Sequence, residues 1–174
     1  KFYLEGNENM VVDGHKAMGI KNHKNTQQLT LTTDLKAATF DELIDFFTIG
    51  EFGVMARNNF VAKYDVMWVS PDVMANLARP HIVNGAVVGS VLNTVMPFAP
   101  VGEIRQSFAL TGNEIIAYQR RRDVISPLIG MTTGVVPVPR TMPTDNYNFK
   151  IMSAEGLQIT CDMLGRSGVV YGHE

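Results

Sequence analysis

The hydrophobic pattern is clearest over residues 65–79, DVMWVSPDVMANLAR, where a continuous apolar run, Val66-Met67-Trp68-Val69, passes into residues spaced for a helix. The run predicts a buried strand. Val73, Met74 and Leu77 then recur at helical spacing and predict a helix whose apolar stripe folds back onto the sheet that carries Trp68. Ser70 supplies the N-cap, and Pro71 takes the first helical position, where its missing N–H is harmless. Ser70 also has the place of a nucleophile on a strand-to-helix turn, but the glycines of a nucleophile elbow are absent and Pro71 follows directly. The pattern therefore marks a hydrophobic hinge and not a reactive site.

Upstream, Thr39-Phe40-Asp41-Glu42 spells a capping box, and Asp41, Glu42 and Asp45 place negative charge at the positive end of the helix dipole. Leu43, Ile44, Phe46 and Phe47 give this helix a wide apolar face. Gly50 and Gly53 each weaken a helix interior by about 1 kcal/mol relative to Ala, so the helix is expected to bend or break before resuming through Val54 and Met55 to Phe60. Residues 1–38 carry a weaker pattern. Phe2-Tyr3-Leu4 reads as the close of a strand, residues 6–9 as a turn, residues 11–20 as a short helix or loop, and residues 29–32 as a short edge strand.

Beyond Pro80, residues 81–85 read as a loop, and Val87, Val88, Val91, Leu92 and Val95 predict a helix over 86–95, although five valines suit a strand equally by propensity. A proline-bearing loop spans residues 96–102. Residues 104–110 and 114–119, separated by Thr111-Gly112-Asn113, predict an antiparallel hairpin. Residues 124–130 continue the strand region, and residues 135–143, with three prolines, predict an extended connection that is not paired on both sides. From Asn148 onward, three strands (149–152, 157–163 and 169–171) with turns near 155–156 and 165–168 suggest an antiparallel meander, which makes the whole α+β.

Composition adds one constraint. Of 174 residues only 18% are charged, against about 25% in typical soluble domains, so the chain has less surface to solvate and suits burial against a partner. The formal net charge of −2 gives no global basic field for nucleic acid. Arg120-Arg121-Arg122 is the one basic cluster. If it lies on a strand its side chains alternate between faces, so it reads as a solvated or salt-bridged strand end, or as a subunit contact. Cys161 is the sole cysteine, which excludes an internal disulfide, and its apolar surroundings predict a buried thiol. The ten methionines read as packing.

Candidate chemistry is sparse. Asp13, His15 and His23 invite a metal reading, but the spacing puts no two imidazoles on one helix turn, so no metal site is expected. Residues 130–134 are glycine-bearing without the lysine of a phosphate loop, and no GxGxxG, CxxC or paired carboxylates occur. No catalytic residue and no cofactor is expected; the best an enzyme reading finds is the scattered set Asp13, His15 and Asp34. No signal segment opens the chain and no apolar run approaches a membrane span. The first residue is Lys1, which suggests a piece of a longer protein.

The order of elements resembles the central and C-terminal part of a tailed-bacteriophage major capsid protein of the Hong Kong ninety-seven type, a fold shared with encapsulin shells. The residues that carry the resemblance are Gly6-Asn7 with its polar continuation, the Phe40-Asp41-Glu42-Leu43 helix, the strand and helix of residues 65–77, Leu110-Thr111-Gly112-Asn113, and Ala154-Glu155-Gly156-Leu157 on to Tyr171. The resemblance implies a connecting segment over 1–38, an axial-type domain over 39–119 with a mixed sheet flanked by helices, and a C-terminal β segment over 120–174 lying partly in a peripheral domain. It implies that the family's N-terminal arm and spine helix precede this region. The function implied is that of a structural subunit self-associating, as hexamers and pentamers, into an icosahedral shell around double-stranded DNA. Each interface would bury about 1,600 Å² or more. Assembly is expected in the bacterial host cytoplasm and residence in the virion, with nonspecific DNA contact on the inner face and a scaffolding or protease partner. The candidate subunit contacts are His81, Asn84, Phe98, Glu103, Arg120, Arg121 and Arg122. An encapsulin-type compartment and an α+β enzyme are the alternatives.

Overall fold

The computed structural model describes residues 2–12, 14–140, 142, 144 and 146–174, and their side chains except at positions 2, 8, 10, 12 and 15. Its centre is strand β4 (Tyr64–Val69), reached from helices α2 (Phe40–Thr48) and α3 (Glu51–Asn58) and followed by helix α4 (Pro71–Ala78). Met67 and Val69 point to one face of the sheet and Trp68 to the other, as the two-residue period requires. A strand apolar on both faces needs a neighbour on each edge. β4 has both: β7 (Val101–Gln106) runs parallel along one edge and β8 (Ile115–Tyr118) antiparallel along the other.

This placement corrects the expected hairpin of residues 104–110 with 114–119, because β4 lies between those two strands. Residues 107–114 are long enough to step over the end of β4, and Ser70 holds them there. Its hydroxyl accepts the Val73 N–H at 3.3 Å as the cap of α4 and donates to the Gly112 carbonyl at 2.6 Å. Asn113, buried beside it, accepts the Leu35 N–H at 2.9 Å and donates to the Thr33 carbonyl at 2.9 Å. The sheet is completed by β11 (Val169–His173), antiparallel to β8, and β3 (Gln27–Thr30), parallel to β11, in the order β3-β11-β8-β4-β7. β3 is the edge strand expected from the Thr-rich alternation near residue 29.

Helices cover one face of this mixed sheet. Leu43, Phe46 and Phe47 of α2, Phe52 and Ala56 of α3, Val73 and Leu77 of α4, and Val91 and Val95 of α5 (Val91–Val95) share a core with Met67, Val69, Ile115 and Ala117. The capping box forms as its residues predict, with Thr39 accepting the Glu42 N–H and Glu42 returning to the Thr39 N–H at 2.7 Å. The chain breaks at Ile49 and Gly50. Gly53 does more than weaken a helix: a Cβ there would lie 2.1 Å from the Thr48 carbonyl oxygen, so its missing side chain lets α3 close onto the end of α2.

The opposite face carries a smaller core of Ile20, Leu110, Ile116, Ile159 and Val169, with Leu4, Trp68 and Tyr118 packed against it. Its cover comes from the N-terminal segment and from the root of a long ribbon. The N-terminal segment differs from expectation. Residues 2–5, expected to close a strand, form a helical turn, α1 (Phe2–Glu5), and the expected turn and short helix or loop are instead a hairpin of β1 (Gly6–Val12) and β2 (His15–Met18). That hairpin leaves Val11 and Met18 exposed, so little burial writes its strands into the sequence.

Two further expectations give way in the ribbon of β9 (Ile125–Val138) and β10 (Asn148–Ile159). The extended connection expected from residue 135 is instead strand as far as Val138, with Val135 opposite Ile151 and Pro137 opposite Phe149, while the expectation that it is not paired on both sides holds, because β9 has no partner on its other edge. The turn expected near residues 155–156 is part of one continuous strand whose register shifts between Met152 and Glu155, and β11 leaves the ribbon for the central sheet, so there is no meander. The remaining expectations fare as follows. The helix expected over 86–95 is β6 (Ala86–Ser90) followed by α5, and the loop expected before it is β5 (Pro80–Val83), its hairpin partner. Arg120, Arg121 and Arg122 lie past the end of β8 in a tight turn where the Val124 and Ile125 N–H groups donate to the Arg121 carbonyl. Cys161 is exposed. Of the methionines, Met67 is fully buried and Met55, Met74 and Met96 pack against the helical core, as expected, while Met18, Met131, Met142, Met152 and Met163 are exposed.

One ionic joint links the N-terminal segment to the sheet. Glu114 receives Lys21 Nζ at 2.7 Å, the Thr111 N–H at 2.9 Å and the Tyr171 hydroxyl. Burial pushes the Glu114 carboxyl up, but the bonds from Lys21, Tyr171 and Thr111 outweigh it and hold the group below the usual carboxylate range. Burial, together with the Glu114 carboxylate, pushes the Tyr171 hydroxyl above its ordinary value.

Two outcomes are expected. Gly53→Ala drives a Cβ into backbone and should cost at least about 1–3 kcal/mol of unfolding free energy, read by denaturant titration; an unchanged midpoint would show that the α2–α3 junction relaxes freely. A carboxyl held low when folded stabilises above its unfolded value and loses that contribution as pH falls through the folded one. Glu114→Gln should therefore lower the thermal midpoint at neutral pH, and the gap from the parent should close as the pH drops below the ordinary value of 4.5. A gap independent of pH would assign the effect to packing.

Candidate functional site

The seven candidate contact residues fall into separate places, and the structure joins only some of them. His81 lies on β5, half-buried, its ring stacked on Phe40 at 3.9 Å between centroids. Its contact is thus spent inside the subunit. Asn84 stands at the exposed tip of the β5–β6 hairpin, and with Gly85 it forms a two-residue turn in which both residues have left-handed φ, 51° and 81°. Such turns match the twist of the flanking strands and favour Asn-Gly. Phe98 is exposed at the mouth of a cleft of about 390 Å³ that Phe47, Gly53, Arg57 and Val61 also line.

Glu103 and Arg120 are neighbours at the β4–β7–β8 end of the sheet. Glu103 pairs with Arg105 at 2.7 Å, and that bond, aided by the charges of Arg105 and Arg120, holds its carboxyl low. Arg105 in turn lies 5.9 Å from the Trp68 ring centroid, and the Trp68 indole N–H donates to the Tyr118 hydroxyl at 3.3 Å. The Arg120 backbone N–H donates to the Asp65 carboxylate at 2.6 Å. Arg121 makes two bonds to Asp123, at 3.0 and 2.5 Å. Arg122 is exposed. Of this run, Arg121 is paired through its guanidinium, and Arg120 sits near the Asp65 and Glu103 carboxylates.

The residues that sequence reasoning missed are apolar and stand in the open. Ile82, Val83, Val87 and Val88 of the β5–β6 hairpin are 58, 44, 67 and 62% exposed. A signal was available, because the Asn84-Gly85 doublet between apolar runs is a strong hairpin mark, and residues 80–102 contain no Asp, Glu, Lys or Arg. Phe60 is a second exposed aromatic, with a left-handed φ of 55° and the Arg166 guanidinium 4.3 Å above its ring. Arg166 is itself bound to Asp162 at 2.5 Å. Residues on either side of this pair, Asn59 and Cys161 among them, line a cleft of about 420 Å³.

Of the set an enzyme reading would use, Asp13 and the side chain of His15 lie outside the described residues. Asp34 sits in a turn where it accepts the Lys36 N–H at 3.2 Å. Burial, helped by Lys24, pushes the His23 ring below its ordinary value. Among the described residues no group of three or more His, Cys, Asp or Glu side chains is placed to hold a metal ion. No helix among them is long and apolar enough to cross a membrane.

Comparison with known proteins bears on the fold. The chain is similar to the capsid of Myoviridae phage XM1, with a TM-score of 0.65 and 14% identity over 98% of this chain and 57% of that one. It is also similar to a virus-like particle from Pyrococcus furiosus, with a TM-score of 0.54 and 14% identity over 88% of this chain and 58% of that one. The chain thus spans somewhat more than half the length of each. At this identity the likeness establishes a shared fold, the α+β arrangement of a mixed sheet flanked by helices. No curated protein sequence matches the chain. Residues 1–172 match the family described as a family of unknown function, DUF6260, and the chain belongs to that family.

Proposed function

We propose that the chain is a structural subunit of a closed protein shell, and that copies of it meet through the β5–β6 hairpin. The observation that carries this reading is the uncharged, apolar, exposed tip formed by Ile82, Val83, Val87 and Val88 within a stretch of 23 residues, 80–102, that has no Asp, Glu, Lys or Arg. Contiguous exposed apolar surface marks interaction sites, and interface cores are depleted in charge. Copies related by rotation bring like residues together near their axis, so any charge on a protruding hairpin there would face its own kind. A neutral tip removes that repulsion.

The fold likeness to a phage capsid and to a virus-like particle supports the same reading. In it, residues 39–119 form the axial domain, whose hairpin approaches the axis of a hexamer or pentamer, and the β9–β10 ribbon within residues 120–174 forms part of a peripheral domain. Phe98, Glu103 and Arg120 to Arg122 are flank contacts, with the Glu103–Arg105 and Arg121–Asp123 pairs free to exchange partners across a boundary. The shell is an icosahedral phage or prophage capsid enclosing double-stranded DNA, assembled in a bacterial cytoplasm with scaffolding or protease partners and resident in the virion. Contact with DNA is weak and screened, because Arg105 and Arg121 already face carboxylates. An encapsulin-type compartment shares every one of these arguments except the content of the particle.

Light scattering and electron microscopy of the full-length protein test the proposal. Uniform hollow particles are expected, and their content, DNA or protein, separates capsid from compartment; a monomer stable across a wide concentration range would overturn it. Val87→Asp and Val88→Glu alter exposed side chains, so the circular dichroism spectrum should be unchanged. Each should raise the concentration needed for assembly by at least about tenfold, the equivalent of 1.4 kcal/mol per contact. Assembly at the parent's concentration would remove the hairpin from the interface.

A further inference from the structure

The Asn84-Gly85 turn has a second property, one of covalent chemistry. Asn84 is the only asparagine in the chain followed by glycine. Both residues are exposed, a Cβ built at Gly85 meets nothing within 4 Å, and the site lies at the open end of a two-residue loop. Among the described residues the Asn84 side chain makes no hydrogen bond and the Gly85 N–H donates to no carbonyl. Four other asparagines show the contrast. Asn22, Asn25, Asn76 and Asn113 are held by hydrogen bonds to backbone groups, and each is followed by a residue with a side chain that shields its amide nitrogen.

We infer that Asn84 is a site of spontaneous, self-inflicted deamidation, with water as the only co-reactant. The Gly85 backbone nitrogen, after loss of its proton, attacks Asn84 Cγ; a C–N bond forms, the side-chain amide leaves as ammonia, and a five-membered imide closes across the turn. Water then adds to one of the two imide carbonyls and breaks its C–N bond. The product is Asp at position 84, or an isoaspartyl link that carries the backbone through the former side chain. Overall the asparagine and one water give the acid and ammonia, with no change of oxidation state.

Ring closure requires rotation about the Asn84 Cα–C and Cα–Cβ bonds to carry the Gly85 nitrogen to Cγ, so the reaction reports how freely this turn moves. The product matters because of where it forms. It places a carboxylate on a tip otherwise surrounded by Ile82, Val83, Val87 and Val88, and the isoaspartyl form adds a backbone atom to a loop whose register depends on two residues. If that tip is a contact between copies, a consequence that rests on the proposed function, aged subunits carry like charges facing one another and assemble less readily than fresh ones.

The test is incubation of the full chain, dispersed, at mildly alkaline pH and physiological temperature, followed by peptide mapping. A gain of about one dalton located at residue 84, with isoaspartate in part of it, is expected, and Asn84→Gln should lose the gain because the ring it would form is larger. No gain at residue 84, or a faster gain at another asparagine, would overturn the inference. This readout does not involve assembly, so it stands or falls apart from the shell proposal. Asn84→Asp supplies the charge from the start. Particle yield lower than the parent's supports the link to assembly, and an equal yield severs that link.

Discussion

The arrangement depends on Ser70. Its hydroxyl accepts from the first turn of α4 and donates to the Gly112 carbonyl, so one oxygen fixes where β4 ends, where the helix begins and how the 107–114 segment crosses above them. Fully buried, it has no water to turn to. An unpaired buried hydroxyl or carbonyl costs about 1–3 kcal/mol, so a crossing in any other place leaves both groups stranded. From that crossing follow the central position of β4, the two-sided burial of the sheet and the separation of the helical core from the smaller core beneath.

The local parts of this were legible in the sequence. Thr39 and Glu42, Ser70 and Pro71, and the stripe of Val73 and Leu77 act over three or four residues, and each forms as its chemistry dictates. What was not legible depends on partners far along the chain. Ile104 and Ile116 look like hairpin strands because nothing local announces that β4, some 40 residues earlier, fits between them. Val87 and Val88 obey a helical period and a β propensity at once. The tie was broken by two residues at positive φ, a condition that Asn84-Gly85 satisfies cheaply and a helix forbids. Around Pro137 the sequence correctly excluded a central strand, since a missing N–H forbids pairing on both edges, but it did not reveal the one-sided pairing at the outer edge of a ribbon.

The candidate contacts divide along the same line. Composition directs attention to partners, since a chain with few charges has less surface to solvate. It does not say where. Choosing charged residues picked out Glu103 and Arg121, whose side chains the fold already pairs with neighbours, and passed over the valines around Asn84 that it leaves open. Polar residues are conspicuous in a sequence, whereas exposed apolar ones look like core until the fold shows that they are not.

The ribbon of β9 and β10 has a mechanical consequence. At a rise of about 3.3 Å per residue its twelve to fourteen residues reach roughly 40 Å, while its anchorage is confined to the end near Ile125 and Ile159, with Tyr3 bonded to Glu155 a little farther out. It is a lever with a short inner arm. A pivot of about 5° at the root displaces the far end by roughly 3 Å, several times the movement at the core, so the tip can adjust to its surroundings while the packing around β4 scarcely registers the change.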